Sequence, residues 1–220
     1  NERVMKFTGE LHNVKLINFS VNLEEVLPFV PKQLKILQEN GKAIISMVDV
    51  QLKNMSPKVL PFIKFGYRHM AFRLLIDDSG MNSEHEPKGV FFLKSFSENS
   101  ILNKLGNIMA DYQLSKVKVE EYFDAFSLKQ DKKYVDYALD PYTNLEESEE
   151  LYQKIHRIDR AYATKDEDIF VTEIARKNWP ITPIKCYHFA TNFFKSAKLL
   201  GAFKVDGVID YTWQDAKQIV

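Results

Sequence analysis

Lys116 stands in "LSKVKVE", residues 114–120, where lysine and valine alternate. Successive side chains of an extended strand point to opposite faces, so Ser115, Val117 and Val119 share one face and Lys116, Lys118 and Glu120 the other. A lysine becomes a nucleophile only when some of its amine is unprotonated near neutral pH, which needs burial or a second cation nearby. Lys118 lies roughly 6.6 Å further along such a strand. Its repulsion on Lys116 would be about fourfold stronger at an effective dielectric of about 20 than in water. Two readings stand side by side. Either the valines face a core and the charges face water, or Lys116 is an inward nucleophile and Lys118 tunes its pKa. Glu120 works against the second by holding both amines protonated.

A second constellation lies in "YRHMAFRLLID", residues 67–77. Alternation puts Met70, Phe72, Leu74 and Ile76 on one face and Tyr67, His69, Ala71 and Arg73 on the other. His69 and Arg73 would then project together, Arg73 as an anchor for a ligand carboxylate and His69 as a proton donor or acceptor. The alternative is exposed surface charge. "NWPITP", residues 178–183, holds Trp179 beside Pro180 and Pro183. Neither proline has an N–H to donate, so the segment is expected at an edge, bulge or tight turn. Trp179 would fill the core, close a cavity or stack on a ligand. The five histidines, at 12, 69, 85, 156 and 188, form no closely spaced pair, and the single cysteine, Cys186, adds no zinc pattern. No metal and no cofactor is expected.

These residues need elements to position them. "KLINFSV", "KAIISMVDVQL", "RHMAFRLLID", "GVFFLKSF", "DIFVTEIAR" and "VDGVIDYTW" read as strands, the second apolar on nearly both faces and therefore interior. Helices are expected in four places. Asn22 would cap the first, with Glu25 three residues on. Asn99 or Ser100 would cap one carrying Ile101, Leu102, Leu105, Ile108 and Met109. A third would start near Asn144, where Glu146, Glu147, Glu149 and Glu150 suit the positive end of the helix dipole. The fourth is "TNFFKSAKLLG", capped by Thr191 or Asn192 and ended by Gly201. "KQDKK", residues 129–133, is interrupted by Asp131 and reads as a hairpin turn rather than a basic patch. The pattern is α+β, sheet-dominated, one domain over 1–220.

Formal net charge is +0 over 220 residues, so no global field draws the chain to nucleic acid or to anionic lipid. No apolar run approaches the roughly 20 residues that span a bilayer. A lone cysteine fits a reducing, cytoplasmic setting.

"LEEVLPFVPKQL" leading into "NGKAIISMVDV", "GVFFLKSF", and "ARKNWPITPIK" leading to "GVIDYTW" together resemble, in this order, the uncharacterised bacterial YqjF-like family of the acetoacetate-decarboxylase-like superfamily. The likeness runs from about residue 6 to about 213. It implies a curved, closed or nearly closed antiparallel sheet that encloses a small-molecule cavity, with helices outside. In the superfamily's decarboxylases two adjacent lysines follow a Gly-Tyr-Pro-like turn and the first forms a Schiff base with a β-keto acid. "YQLSKV" falls over that segment, which places Lys116 at the nucleophile, Val117 at the second lysine, and Gln113 and Ser115 where glycine and proline stand. Arg73 corresponds to an arginine typical of the YqjF-like pattern, His69 falls where a glutamate is common, and His12 falls over a substrate-binding arginine of the decarboxylases. The expected function is binding of a small anionic or carbonyl-bearing organic molecule. The alternative is a Schiff-base lyase (decarboxylase, aldolase or dehydratase) on a keto acid. A third is a structural or protein-interaction domain, which would need a filled interior. Self-association into a homo-oligomer is left open.

Overall fold

β-branched and aromatic residues in long uninterrupted runs give this chain two strands of 16 residues, β1 (Phe7–Asn22) and β3 (Lys42–Pro57), paired antiparallel along nearly their whole length. The computed structural model describes residues 6–98, 114–140, 142–143, 149–165, 168–176 and 179–219. The remaining described strands are β2 (Gln38–Glu39), β4 (Phe65–Ile76), β5 (Gly89–Ser97), β6 (Leu114–Lys116), β7 (Lys118–Tyr122), β8 (Ala125–Gln130) and β9 (Lys133–Asp140). After the helix α1 (Glu149–His156) come β10 (Arg160–Lys165), β11 (Asp168–Arg176), β12 (Ile181–Thr191), β13 (Lys198–Val205), β14 (Ile209–Trp213) and β15 (Lys217–Gln218).

Seven strands close on themselves in the order β3-β4-β5-β10-β11-β14-β1, because β1 also pairs with β3. Every step is antiparallel except β5–β10, which is parallel. Closure needs sharp local twist, which bulges supply. Register shifts occur at Thr8/Glu10 and His12/Lys15 between β1 and β3, at Leu52/Met55 between β3 and β4, and at Phe72/Arg73 between β4 and β5. Asn13 (φ 52°) and Asn54 (φ 51°) take left-handed backbone at two of them, a conformation asparagine tolerates. β1 gives Phe7–Leu11 to β14 and Lys15–Ser20 to β13, so the sheet branches there. From β13 it continues through β12, β9, β8 and β7.

Alternation along the barrel strands separates two cores. Leu16, Val48, Val50, Ala71, Leu75, Val90, Ala161 and Phe203 pack as one cluster inside the barrel. Their neighbours Ile17, Met47, Met70, Phe72 and Phe96 pack outside it against Phe126, Leu128, Val135 and Tyr137 of β8 and β9. The expected interior strand is therefore buried on both faces because both faces meet a core. Asp49 fastens the two layers: its carboxylate accepts bidentate bonds from Arg68 (2.8 and 2.7 Å) and one from the Tyr137 hydroxyl (2.6 Å), while Arg68 also reaches Glu121 on β7 (2.7 Å). Burial disfavours the Arg68 charge, but the two carboxylates more than offset it and raise its pKa.

Helix expectations fare less well than strand expectations. Asn22 makes no side-chain cap, and the segment after it forms two 3-10 turns, Leu23–Glu25 and Leu27–Phe29, with Pro28 in the second. "TNFFKSAKLLG" is not a helix: residues 192–196 are bends and turn, and Lys198 begins β13. Glu25 accounts for both corrections, since its carboxylate accepts the N–H of Lys195 (2.6 Å) and the N–H and hydroxyl of Ser196 (3.2 and 2.8 Å), pinning the turn before β13 pairs with β1. The helix expected over about 100–110 lies outside the described residues, as do positions 144–148 of the next one. α1 itself is present, and its Leu151 and Ile155 join the inner cluster. It packs at the barrel end where β3 and β5 begin, with Tyr152 edge-on to Phe203 (6.1 Å) and Lys154 paired to Glu39 (3.3 Å). Pro183 pairs with Phe203 of β13, while β12 meets β9 only from Lys185 onward, so the proline sits where its strand is bonded on one side. "KQDKK" is the expected hairpin turn between β8 and β9, with Asp131 at φ 53°. Among the described residues no helix is long and apolar enough to cross a membrane.

Candidate functional site in the barrel interior

β4 carries the split that its sequence shows. Met70, Phe72, Leu74 and Ile76 enter the outer core, and Tyr67, His69, Ala71 and Arg73 face the inside. Arg73 is opposite Ser46 on β3 and Phe92 on β5, and Ser46 is opposite Asn18 on β1, which makes a polar belt across three strands of an otherwise apolar wall. Arg73 is 7% exposed as a residue. It donates from Nε to the Ser46 carbonyl (3.2 Å) and from Nη2 to the Ser46 hydroxyl (3.0 Å), and it meets no carboxylate among the described residues. Burial pushes its pKa down to about 9, with the charge of Arg176 adding to the effect.

His69 is beside it. The residue is only partly enclosed, yet its Nε2 is out of reach of solvent and has no hydrogen-bond partner among the described residues. Its ring stacks on Phe92 (6.2 Å, 11°) and leans on Tyr67 (6.0 Å). Burial first, and then the Arg73 charge, lower its pKa to about 4, with Asp49 opposing, so at neutral pH the ring is uncharged. Asn18 Oδ1 and Ser95 Oγ are also buried without a partner. Most buried polar atoms are satisfied, so three orphans on one inner face mark a space suited to water or a ligand.

Arg176, Tyr211 and Trp179 extend the belt toward β11 and β14. Arg176 is opposite Tyr211 in register, donates from Nη2 to the Ile158 carbonyl and lies over the Trp179 ring at 4.0 Å. Burial lowers its pKa to about 10, with Asp159 opposing. Tyr67 is raised to about 12 by burial, and Tyr211 is raised by burial and by Tyr67. Trp179 packs against the inner cluster with Nε1 unpartnered. Arg176 and Tyr211 also border an open pocket of about 680 Å³, but Thr8, Glu10, Ala175, Asp210 and Thr212 among its walls alternate with the inward Phe7, Leu11, Ile174, Ile209 and Trp213, so it opens on the outer face of the barrel.

Lys116 is reached through β5. β6 pairs parallel with the end of β5, Ser95 opposite Leu114 and Ser97 opposite Lys116. Val117 enters the outer core and its N–H bonds the Ser97 carbonyl (3.2 Å). Alternation therefore sets Lys116 on the side shared with Ser95 and Ser97, which is the inner one, but at the rim and exposed to solvent. β6 ends at Lys116 and β7, bonded to β8, begins at Lys118, so the two lysines do not belong to one unbroken strand. Lys118 is exposed and bonded to Glu120 (2.6 Å), which raises its pKa; Glu120 also holds Lys129 (3.1 Å). His12 is not brought into the interior: it follows the inward Leu11 and bonds Glu10 (2.8 Å). Arg176, Tyr211, Asn18, Ser46 and Ser95 are interior residues that sequence reasoning missed. Asn18 and Ser46 carried a signal, each a lone polar residue inside an apolar run. Among the described residues no group of three or more His, Cys, Asp or Glu is arranged to hold a metal ion.

A closed seven-stranded barrel in a mostly β chain is the acetoacetate-decarboxylase-like fold. Among solved structures, an acetoacetate decarboxylase-like enzyme from Sphingomonas wittichii RW1 matches at 6% identity with a TM-score of 0.65, over 98% of this chain and 93% of that one. Acetoacetate decarboxylase from Legionella pneumophila matches at 10% identity and 0.63, over 100% and 90%. The enduracididine biosynthesis enzyme MppR complexed with pyruvate matches at 11% and 0.58, over 97% and 89%. At such identities the likeness is one of fold alone. The chain itself belongs to the YqjF-like family DUF2071, described as an uncharacterized conserved protein, whose model matches residues 8–208. Comparison with curated protein sequences gave no match.

Proposed function

We propose that the protein binds a small organic anion inside the barrel, with Arg73 gripping the anionic group and neutral His69 hydrogen-bonding to it. The observation that carries this is an arginine 7% exposed whose guanidinium has no carboxylate beside it among the described residues. A buried charge without a counterion costs several kcal/mol, and an incoming carboxylate offsets that cost through charge-assisted bonds to the remaining donors. The relative solved with pyruvate gives the chemical class its prior: short carboxylates with a neighbouring carbonyl. An interaction domain with a barrel packed shut would have no use for unpartnered Asn18, His69 and Ser95 atoms.

The test is calorimetric or thermal-shift titration with pyruvate, acetoacetate and simple short carboxylates. Binding to the wild type and a loss of about tenfold or more in Arg73→Met, with Arg73→Lys between them, is expected. Equal affinity in Arg73→Met overturns the assignment.

Schiff-base lyase chemistry is the second reading. It is favoured by the register that sets Lys116 on the inner side of the rim. There the amine would attack a keto carbon, lose its proton and water, and leave an iminium that accepts the electron pair released as carbon dioxide departs. Against it, Val117, which stands at the second lysine's position, packs in the outer core, and Lys118 is exposed and held by Glu120.

A further inference from the structure

Among the described residues Arg73 is not the only guanidinium on the inner face without a carboxylate bonded to it. Of the five N–H donors on each side chain, Arg73 uses Nε and Nη2 on Ser46, and Arg176 uses Nη2 on the Ile158 carbonyl. The acidic group with most influence on Arg176 is Asp159, and that carboxylate is already engaged by Arg160 (2.7 Å) and Lys88 (3.6 Å). Tyr67, His69, Phe92, Trp213 and Tyr211 connect the two cations around the wall: Tyr67 to His69 (6.0 Å), His69 to Phe92 (6.2 Å), Phe92 to Trp213 (6.4 Å), and Tyr211 opposite Arg176.

Resting on the anion-binding reading above, we infer that the ligand carries two anionic groups, a short dicarboxylate or a keto acid with a second carboxylate, one group for Arg73 and the other for Arg176. Two like charges drawn into one apolar barrel repel each other and each loses hydration. A monoanion bound at Arg73 would leave Arg176 uncompensated. A dianion compensates both, and the wall between them, rich in rings, suits the short hydrocarbon or carbonyl link that joins its ends. The field of Arg176 at Arg73 is strong enough to lower the proton affinity of Arg73, which agrees with the two side chains bordering one space. A solely structural Arg176, holding Ile158 and Trp179, would show no preference between ligands of one and two charges.

The experiment compares each of malonate, succinate and glutarate with its own half-amide, which keeps the size and removes one charge, by calorimetry at constant ionic strength. One dicarboxylate should bind the wild type about 10- to 100-fold more tightly than its half-amide, the range of one charge-assisted contact. Arg176→Gln should bring that dicarboxylate down to the half-amide's affinity and leave the half-amide within about twofold, with Arg176→Lys recovering part of the difference. Equal binding of the pair to the wild type, or an equal loss of both in Arg176→Gln, overturns the dianion while the anion reading stands. If neither member of any pair binds, the dianion is overturned, and the anion reading is decided by the pyruvate and acetoacetate titrations above. Should Arg176→Gln fail to fold, the wild-type ratio alone decides.

Discussion

Acid should destabilise this fold through His69 before the carboxylates matter. The folded ring has a pKa of about 4 against 6.5 in the unfolded chain, because burial first and the Arg73 charge next disfavour its protonation. The unfolded state therefore takes up a proton in a window where the folded state does not. Stability is whole above about pH 6.5, falls as pH drops toward about 4, and is level below that as far as this ring is concerned. Each tenfold in proton affinity is about 1.4 kcal/mol, so the full loss is about 3 kcal/mol and about 2 of it is gone by pH 5. His69→Phe keeps the stack on Phe92 and removes both the titration and the unpartnered Nε2. Urea midpoints at pH 7.5, 6.5, 5.5 and 4.8 should show equal or higher stability for the variant at pH 7.5 and a gap over the wild type that widens as pH falls. Carboxylates with depressed pKa, Glu25 and Asp77 among them, lose their contribution lower still and in both proteins alike, so the difference curve isolates the ring. Parallel curves from pH 7.5 to 4.8 would refute the reasoning.

Asp49→Asn should cost about 3 kcal/mol, since it leaves the half-enclosed Arg68 with Glu121 alone, whereas Tyr137→Phe, which removes one hydroxyl from the same carboxylate, should cost about 1. Urea unfolding reads both, and a loss in Asp49→Asn no larger than in Tyr137→Phe would show that the layers are held by packing rather than by this ion pair. Incubation with pyruvate and borohydride should leave the intact mass unchanged, because Lys116 is exposed at the rim rather than enclosed in the barrel, and Lys118 is bonded to Glu120. A stable adduct that maps to Lys116 and disappears in Lys116→Ala would put the lyase reading in place of a non-catalytic barrel.

Strands were legible here because a period of two survives in the letters. "YRHMAFRLLID" separates cleanly into a set that enters the outer core and a set that faces the interior, and the same register decides both. "KAIISMVDVQL" showed two buried faces, but not that one face lines a barrel and the other meets β8 and β9. "TNFFKSAKLLG" misled for a physical reason. Its apolar spacing and terminal glycine satisfy a helix locally, yet the group that fixes its backbone is the carboxylate of Glu25, 170 residues away in sequence, and β1 then takes its second half as a strand. No window on the chain contains that partner.

Site residues divide by the same logic. Arg73 and His69 could be paired from sequence because both sit on one strand, two registers apart and opposite an apolar face. Arg176 could not, since its relation to Arg73 runs around the barrel through β5, β10 and β11, and only closure brings those strands into one wall. Asn18 and Ser46 were visible as polar interruptions, but such a letter reads the same whether it finds a partner or is left wanting one; Asn18 does both, donating to the Gly201 carbonyl (3.2 Å) while its Oδ1 has nothing to accept. For Lys116 the missing fact was a face. Strand alternation offered two, and the register of β6 against β5 selects the inner one while exposure leaves the amine at the rim.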